Sequence, residues 1–238
     1  MRKYNYVSIL LILIVDAILE GILQNIFDGN LLIIAGFVSF IFDYIICRGL
    51  LYNREGSFSD YISGIKTMTG KVFLMNILAG AIAVLLLTLA MLASGAGFLF
   101  TSYSVENPKV FVSFVVLFTL AIIFTSLLFA YMNFFMADER YRDLPFFKSL
   151  KLIVKAGIKL FSESFMAGVK AYKITLISTA IVIVVLFLTP VAGQIALIFG
   201  VIAVIALFFC TPTFRASLSD IYLDRSEEIY EEVMGNKN

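Results

Sequence analysis

The chain has 238 residues, of which 61% are hydrophobic and 15% are charged, and its formal net charge is +1. Soluble domains carry roughly a quarter charged residues, so this composition, with a mean hydropathy of +0.99, excludes an ordinary soluble protein. The sequence predicts a protein of the lipid bilayer, without a nucleic-acid partner.

Six apolar stretches follow one another along the chain, most of them close to the ~20 residues with which a helix crosses a ~30 Å hydrocarbon core. They cover residues 6–27, 31–49, 72–100, 109–136, 172–189 and 193–213. The first stretch follows Arg2 and Lys3, as in a secretory signal, but continues past Asp16 and Glu20 without a small-x-small cleavage site. We therefore expect a single all-α membrane domain over 1–238, with six transmembrane helices and a retained first span.

Lysine and arginine predict the orientation of these spans, because positive charge stays on the cytoplasmic side of a membrane. With the N-terminus inside, all of the 18 basic residues except Lys109 fall on the cytoplasmic face or at its boundary. Both termini are therefore expected in the cytoplasm, and the expected location is the plasma membrane of a prokaryote. The external connections are then short, at 28–30, 101–109 and 189–193.

Two segments between the spans, 52–71 and 138–171, are expected to lie along the cytoplasmic membrane surface. In the first we expect a short helix with Ser59 or Asp60 as its N-cap. In the second, four lysines spaced 3, 4 and 4 residues apart lie on one face of an amphipathic helix. These lysines, the lysine stripe, are Lys148, Lys151, Lys155 and Lys159. Such a stripe is typical of an interfacial packing helix, and it also suits the docking of anionic lipid head groups or an acidic partner.

The C-terminal tail, 216–238, continues the sixth span and becomes acidic. Its acidic residues from the middle onwards are Asp224, Glu227, Glu228, Glu231 and Glu232. We expect a solvated helix end there. The alternative is that the tail folds back against the lysine stripe, which faces the same compartment.

Polar side chains inside the predicted spans are the main candidates for function, because a central carboxylate costs about 2.5–3.5 kcal/mol to insert. Asp16, Glu20 and Gln24 recur at intervals of four on one stripe of the first span. They predict either hydrogen bonds that hold the first two spans together or a polar track for an ion or substrate. Three amide side chains in other spans are possible hydrogen-bond partners for them if the bundle turns these side chains inward. They are Asn76, Asn133 and Gln194.

The second span contributes one carboxylate, Asp43. A tight turn centred at Gly29–Asn30 places residues whose numbers sum to about 59 at equal depth, which pairs Asp43 with Asp16 near mid-membrane. Two carboxylates at one depth can share a proton, bind a cation or pair with a base. The nearest base is Arg48, which we expect to reach Asp43 along the second helix.

Signatures of enzyme active sites are missing from the sequence. It contains no histidine, the commonest general base and metal ligand, and no glycine-rich phosphate loop, GxSxG elbow or HExxH pair. Cys47 and Cys210 lie near the cytoplasmic ends of their spans, where thiols stay reduced and pack as small apolar side chains. We therefore expect a protein without enzymatic activity, cofactor or metal site.

The second half of the sequence carries a resemblance. The stretch FMADERYRDLPFFKSLKLIVKAGIKLF, followed by two spans and then TPTFRASLSDIYLD, resembles a loose group of prokaryotic six-span membrane proteins. This group includes domain-of-unknown-function families and the membrane domain found on some glycerophosphodiester phosphodiesterases. The features that match the group fall on Asp138, Lys148, Ser149, Lys155, Gly157, Leu160, Phe161, Pro212 and Tyr222. The resemblance covers about a third of the chain and implies a six-span fold, without an activity.

Three kinds of function remain open. The leading hypothesis is a non-enzymatic membrane protein that transports or handles a small or amphipathic molecule, or serves as the membrane subunit of a larger assembly. The second is the permease subunit of an ATP-driven exporter, in which 52–71 would contact a separate ATPase. The third is a structural or immunity-type protein that binds another membrane protein.

Overall fold

The computed structural model describes residues 2–26, 32–94, 108–188 and 193–235, and within these ranges it is helical, without a β-strand. The prediction of an all-α fold is confirmed. The helices are α1 (Tyr6–Ile26), α2 (Leu32–Tyr52), α3 (Phe58–Ser63), α4 (Gly70–Ala93), α5 (Pro108–Leu128), α6 (Met132–Ala137), α7 (Phe146–Lys159), α8 (Phe161–Ala171), α9 (Lys173–Leu188) and α10 (Gly193–Met234). A short 3-10 turn, Gly64–Thr67, follows α3.

The described helices have the length and composition of membrane spans. Four of them are long and apolar enough to cross a bilayer, and α8 and α9, which meet at a bend of 74°, make a fifth crossing if taken together. The four are Tyr6–Ile26, Gly70–Ala93, Gln194–Met234 and the run Ser113–Ala137, which takes in α6 together with most of α5. Only 11% to 17% of the residues in their apolar windows are buried, so most of these side chains are left for contact with lipid. The chain is a helical protein of the kind that is embedded in membranes.

Helices α1 and α2, α4 and α5, and α9 and α10 pack along each other as three hairpins. The turns that close them, predicted as external connections at 28–30, 101–109 and 189–193, lie outside the described residues except for their margins. The turn predicted at Gly29–Asn30 is also outside them.

The opposite end of the bundle is polar and holds both ends of the described chain. Arg54, in the loop after α2, donates to the Asp220 carboxylate of α10 at 2.6 Å and to the Lys3 backbone oxygen at 2.9 Å. Arg2 pairs with Asp224 at 2.6 Å. We call this region the polar end. The N-terminal segment and the last third of α10 therefore lie on the same side of the bundle.

The most completely buried side chains also lie toward the polar end. Tyr222 of α10 packs against Phe134 and Phe135 of α6, with ring centroids 5.4 Å and 4.9 Å apart. Tyr131, between α5 and α6, stacks on the ring of Tyr222, with the two centroids 6.4 Å apart. This aromatic cluster joins the hairpin of α4 and α5 to α10.

The predicted span 109–136 is interrupted. Helix α5 ends at Leu128, a turn covers 129–131, and α6 begins at Met132. Gly157 of α7 packs directly on the end of α5, so close that a Cβ there would overlap the Leu128 carbonyl. The break therefore coincides with the crossing of a neighbouring helix.

The two segments predicted on the membrane surface also differ in detail from the structure. The helix in 52–71 is capped by Ser57, two residues before the predicted Ser59, because Ser57 and Asp60 form a reciprocal capping box. The segment 138–171 contains two helices instead of one, which meet at Leu160.

The acidic tail belongs to α10, which continues without interruption through Pro212. Its glutamates reach the lysine stripe: Lys159 lies 2.8 Å from Glu228 and 2.6 Å from Glu232, and Lys155 lies 2.8 Å from Glu232. The acidic side chains remain exposed, as expected of a solvated helix end, and they also contact the lysine stripe, as the alternative proposed. The tail reaches the stripe without folding back, because α10 runs on as one helix and packs against α7.

Candidate functional site

An ion pair joins α2 to α10 near the polar end of the apolar helices. Arg215 donates from Nη2 to Oδ1 of Asp43 at 2.5 Å. Charged side chains among membrane helices usually pair with each other and face the interior or a cavity. The two side chains here remain 32% and 24% exposed, which places the pair at the wall of an open space and not inside a sealed core.

That space is a cavity of about 470 Å³ between the three hairpins. Polar side chains from α2, α4, α5, α6, α10 and the junction of α8 and α9 line it. They are Asp43, Asn76, Ser126, Asn133, Tyr172, Thr211 and Arg215. Its volume lies within the roughly 300–1,000 Å³ range of small-molecule sites in proteins. We call it the polar cavity.

Two carboxamides on one wall have their orientation fixed by hydrogen bonds. Nδ2 of Asn76 donates to the Val72 backbone oxygen at 2.9 Å and to Oδ1 of Asn133 at 3.1 Å. Because the Val72 oxygen only accepts, the Asn76 atom facing it is nitrogen, and the Asn133 atom facing that nitrogen is oxygen. The Asn133 amide nitrogen is consequently turned away from Asn76.

Asn133 therefore presents an amide donor on the wall of the polar cavity. The residue as a whole is only 7% exposed, and no residue in the described ranges accepts a hydrogen bond from its Nδ2. This donor is available to an acceptor that occupies the cavity.

The hydroxyl groups on the wall formed by α9 and α10 are paired with each other. Thr211 donates from Oγ1 to the Leu207 backbone oxygen at 2.8 Å, which uses its single proton. Tyr172 therefore donates to Thr211 Oγ1 at 3.3 Å. The donors available to a ligand include the Asn133 amide, the Ser126 hydroxyl and the guanidinium N–H groups of Arg215 that do not face Asp43.

The polar stripe predicted in the first span is only partly engaged. Ser39 of α2 donates to the carboxylates of both Asp16, at 3.2 Å, and Glu20. Gln24 is exposed. This part of the stripe makes the hydrogen bonds between the first two spans that were one of the two predicted roles.

Asp16 and Asp43 are not each other's partners: Asp43 forms its ion pair with Arg215, and the residue of α2 that contacts Asp16 is Ser39. The contacts still agree with the predicted hairpin register, since Ser39 also donates to Glu20 and these two residue numbers sum to 59.

The predicted approach of Arg48 to Asp43 is wrong. Arg48 donates to the Ala137 backbone oxygen at 2.7 Å and pairs with Glu139 at 2.6 Å. Positions five apart on an α-helix point about 140° apart, so these two side chains of α2 face different neighbours. Arg215 takes the expected place of Arg48. The feature of the sequence that could have indicated Arg215 is its position just after the last apolar stretch.

Sequence reasoning also missed the role of Asp138, which follows α6. This carboxylate, 3% exposed, accepts hydrogen bonds from Arg140 Nη2 at 2.8 Å, from the Tyr222 hydroxyl at 2.9 Å and from the Tyr52 hydroxyl at 3.3 Å. Burial raises the pKa of Asp138, but the hydrogen bonds from Arg140 and Tyr222 outweigh it and hold the pKa below its ordinary value. Asp138 thereby ties α2, α6 and α10 together below the polar cavity.

The lysine stripe divides into two pairs. Lys155 and Lys159 bind the glutamates of α10, whereas Lys148 and Lys151 are exposed and make no ion pair with any described residue. Only the first half of the stripe is left available to a lipid or an acidic partner.

The described residues contain no group of three or more His, Cys, Asp or Glu side chains placed to hold a metal ion, and Cys47 and Cys210 are free thiols. Comparisons of the chain with protein-family models, with curated proteins and with solved structures give no match. The candidate site is therefore defined by its own geometry, a polar cavity with one ion pair and an amide donor, that of Asn133, available on its wall.

Proposed function

We propose that this non-enzymatic integral membrane protein binds a small or amphipathic molecule in the polar cavity and moves it across or within the bilayer. The observation that carries the proposal is the open cavity beside the pair of Asp43 and Arg215, with the Asn133 amide donor on its wall. A pair that served only to clamp two helices would be expected in close-packed surroundings, because protein interiors leave few voids.

The proposal includes a topology of six spans, in which α2 is the second span and α9 is the fifth, while α8, bent from α9 by 74°, lies along the membrane surface. Both termini then lie in the cytoplasm of a prokaryotic cell, and the polar end faces the cytoplasm. Its support is the positive-inside rule, applied to the 18 basic residues, together with the contact between Arg2 and Asp224 that keeps both ends of the chain on one side.

Replacing Asp43 by asparagine is expected to slow transport about tenfold or more. The change removes a charge-assisted hydrogen bond, worth about 1.5–3 kcal/mol, and each 1.4 kcal/mol is a factor of ten. The measurement uses protein reconstituted into liposomes, incubated with a mixture of amino acids, sugars, polyamines and single-chain amphiphiles, followed by mass spectrometry of the vesicle contents.

The matched control is Glu55→Gln, which neutralises an exposed carboxylate in the loop after α2. This variant should transport as the unchanged protein does. If no compound enters faster than into protein-free vesicles, the transport proposal fails. If Asp43→Asn and Glu55→Gln give equal rates, the polar cavity is not the pathway.

The free half of the lysine stripe is expected to bind anionic lipid. Replacing Lys148 and Lys151 by glutamine should weaken retention of phosphatidylglycerol about thirtyfold, because each basic residue contributes about 1 kcal/mol near an anionic surface and 1.4 kcal/mol is a factor of ten. The same change at Lys155 and Lys159 should have a smaller effect, since their charges already face glutamates. Native mass spectrometry of the detergent-solubilised protein, titrated with lipid, measures the difference. Equal losses for the two pairs would argue against this surface.

A further inference from the structure

A second space, between α4 and α5, lies beside the polar cavity. It measures about 340 Å³, and it shares Asn76, Ser126 and Phe129 with the wall of the polar cavity. Apart from these shared residues its lining is mostly small or apolar, with Gly80 and Ala83 on the α4 side. We call it the apolar groove. The polar cavity and the apolar groove are therefore neighbours with three wall residues in common, the first polar and the second mostly apolar.

The apolar groove has the length and direction of one lipid chain. Its lining on α4 runs from Asn76 to Leu87, eleven residues or about 16 Å along the helix. Half of a ~30 Å hydrocarbon core is about 15 Å, which is the depth of one leaflet. The groove leads away from the polar end, as an acyl chain does from its head group. Gly80 leaves it open, because no atom lies within 4 Å of the place where a Cβ would stand.

The charges of the polar cavity favour a head group that carries both signs. The charged side chains among its lining residues are one carboxylate, Asp43, and one guanidinium, Arg215, so the cavity is neutral as a whole. Arg215 and the Asn133 amide offer donors to an anionic oxygen. Asp43 keeps a second carboxylate oxygen for a cationic group.

We propose that the polar cavity and the apolar groove together bind a zwitterionic phospholipid from the leaflet at the polar end. The phosphate lies against Arg215 and Asn133, the ammonium group against Asp43, and one acyl chain lies in the groove between α4 and α5. This inference rests on the proposed function, for which it names the class of molecule.

The absence of tryptophan from the sequence makes a direct test available, because one introduced tryptophan is then the only indole in the protein. Phe129→Trp places it on the wall that the polar cavity and the apolar groove share, and Phe209→Trp places it on α10 at a side chain 50% exposed. Each full-length variant is reconstituted into vesicles that contain chain-brominated phosphatidylethanolamine or chain-brominated phosphatidylglycerol, and quenching of its fluorescence is measured against the fraction of brominated lipid.

We expect half-maximal quenching at position 129 at about a threefold lower fraction of phosphatidylethanolamine than of phosphatidylglycerol. Loss of a hydrogen bond of this kind changes a binding constant roughly two- to tenfold. At position 209 the two lipids should quench equally. Equal quenching at both positions overturns the inference, and so does a preference for phosphatidylglycerol at position 129, which would indicate a net anionic ligand.

Two further variants, each made in the Phe129→Trp background, separate the head-group and chain contacts. Asn133→Leu should remove the preference between lipids. Gly80→Phe should fill the groove and reduce quenching by either brominated chain, whereas Gly200→Phe, at an equally open position on α10, should change nothing. An unchanged preference in Asn133→Leu, or equal effects of the two phenylalanine substitutions, would contradict the inference.

The outcome of the quenching experiment can be distinguished from the outcome of the transport assay. A lipid preference without solute transport would leave the bound phospholipid in place and remove the proposed function. Transport of a water-soluble compound without any lipid preference would support the proposed function and overturn the inference of a bound phospholipid.

Discussion

Gly157→Ala is expected to lower the free energy of unfolding by about 3 kcal/mol, since overpacking a tight contact typically costs 1–3 kcal/mol and occasionally more. The added Cβ would overlap the carbonyl oxygen, carbonyl carbon and Cα of Leu128, all of them backbone atoms that cannot rotate aside. Helix α7 would therefore have to move off the end of α5. Thermal unfolding in detergent, followed by circular dichroism, should show a midpoint lower by on the order of 10 °C.

The control for this substitution is Gly200→Ala in α10, where no atom lies within 4 Å of the new Cβ. It should not destabilise the protein, because alanine favours a helix over glycine by about 1 kcal/mol. Similar midpoints for the two variants would show that the crossing of α7 and α5 is looser than its geometry indicates.

Asp138→Ala is expected to cost about 3 kcal/mol. It leaves the buried Tyr222 hydroxyl without its acceptor and deprives Arg140 of its carboxylate partner. An unsatisfied buried group costs about 1–3 kcal/mol, and loss of one partner of a buried ion pair costs about 3–5 kcal/mol. We expect about 3 kcal/mol, the lower end of the range for an ion pair, because Arg140 is 47% exposed and its charge remains hydrated. Asp143→Ala, which removes an exposed carboxylate five residues away, is the control and should be nearly neutral.

The same carboxylate predicts a dependence of stability on pH. The pKa of Asp138 lies below its ordinary value of 3.8 in the folded protein, so the ionised form is favoured by folding. Its contribution is complete above the ordinary pKa and is lost as the pH falls through the lower folded value. Unfolding of the unchanged protein and of Asp138→Asn should therefore differ most near neutral pH and converge well below pH 3.8. A constant difference across this range would contradict the assignment.

The helices themselves could be predicted because an apolar run of about twenty residues has few other ways to satisfy its backbone in lipid. The lysine stripe could be predicted for the same kind of reason, since spacings of three and four follow from helix geometry. The partner of Asp43 could not be predicted from the sequence. It depends on which face of α10 turns toward α2, and Arg215 lies 172 residues away in the chain.

Residues that carry the resemblance in the second half of the chain have clear physical roles in the structure. Gly157 permits the contact with α5, and Tyr222 donates to Asp138. Sequence reasoning marked these positions without a reason for them, because a glycine contact and a buried hydroxyl become visible only when two distant helices are brought together. The break after Leu128 has the same origin.

Helix α10 links two distant parts of the molecule because of its length. Its 42 residues extend about 63 Å, twice the thickness of a hydrocarbon core, and Met234 lies about 33 Å beyond Pro212. Arg215, one turn after the proline, and Glu232, near the end, belong to the same uninterrupted helix. One element therefore carries both a wall of the polar cavity and the glutamates that contact the lysine stripe about 30 Å away, given a rise of about 1.5 Å per residue.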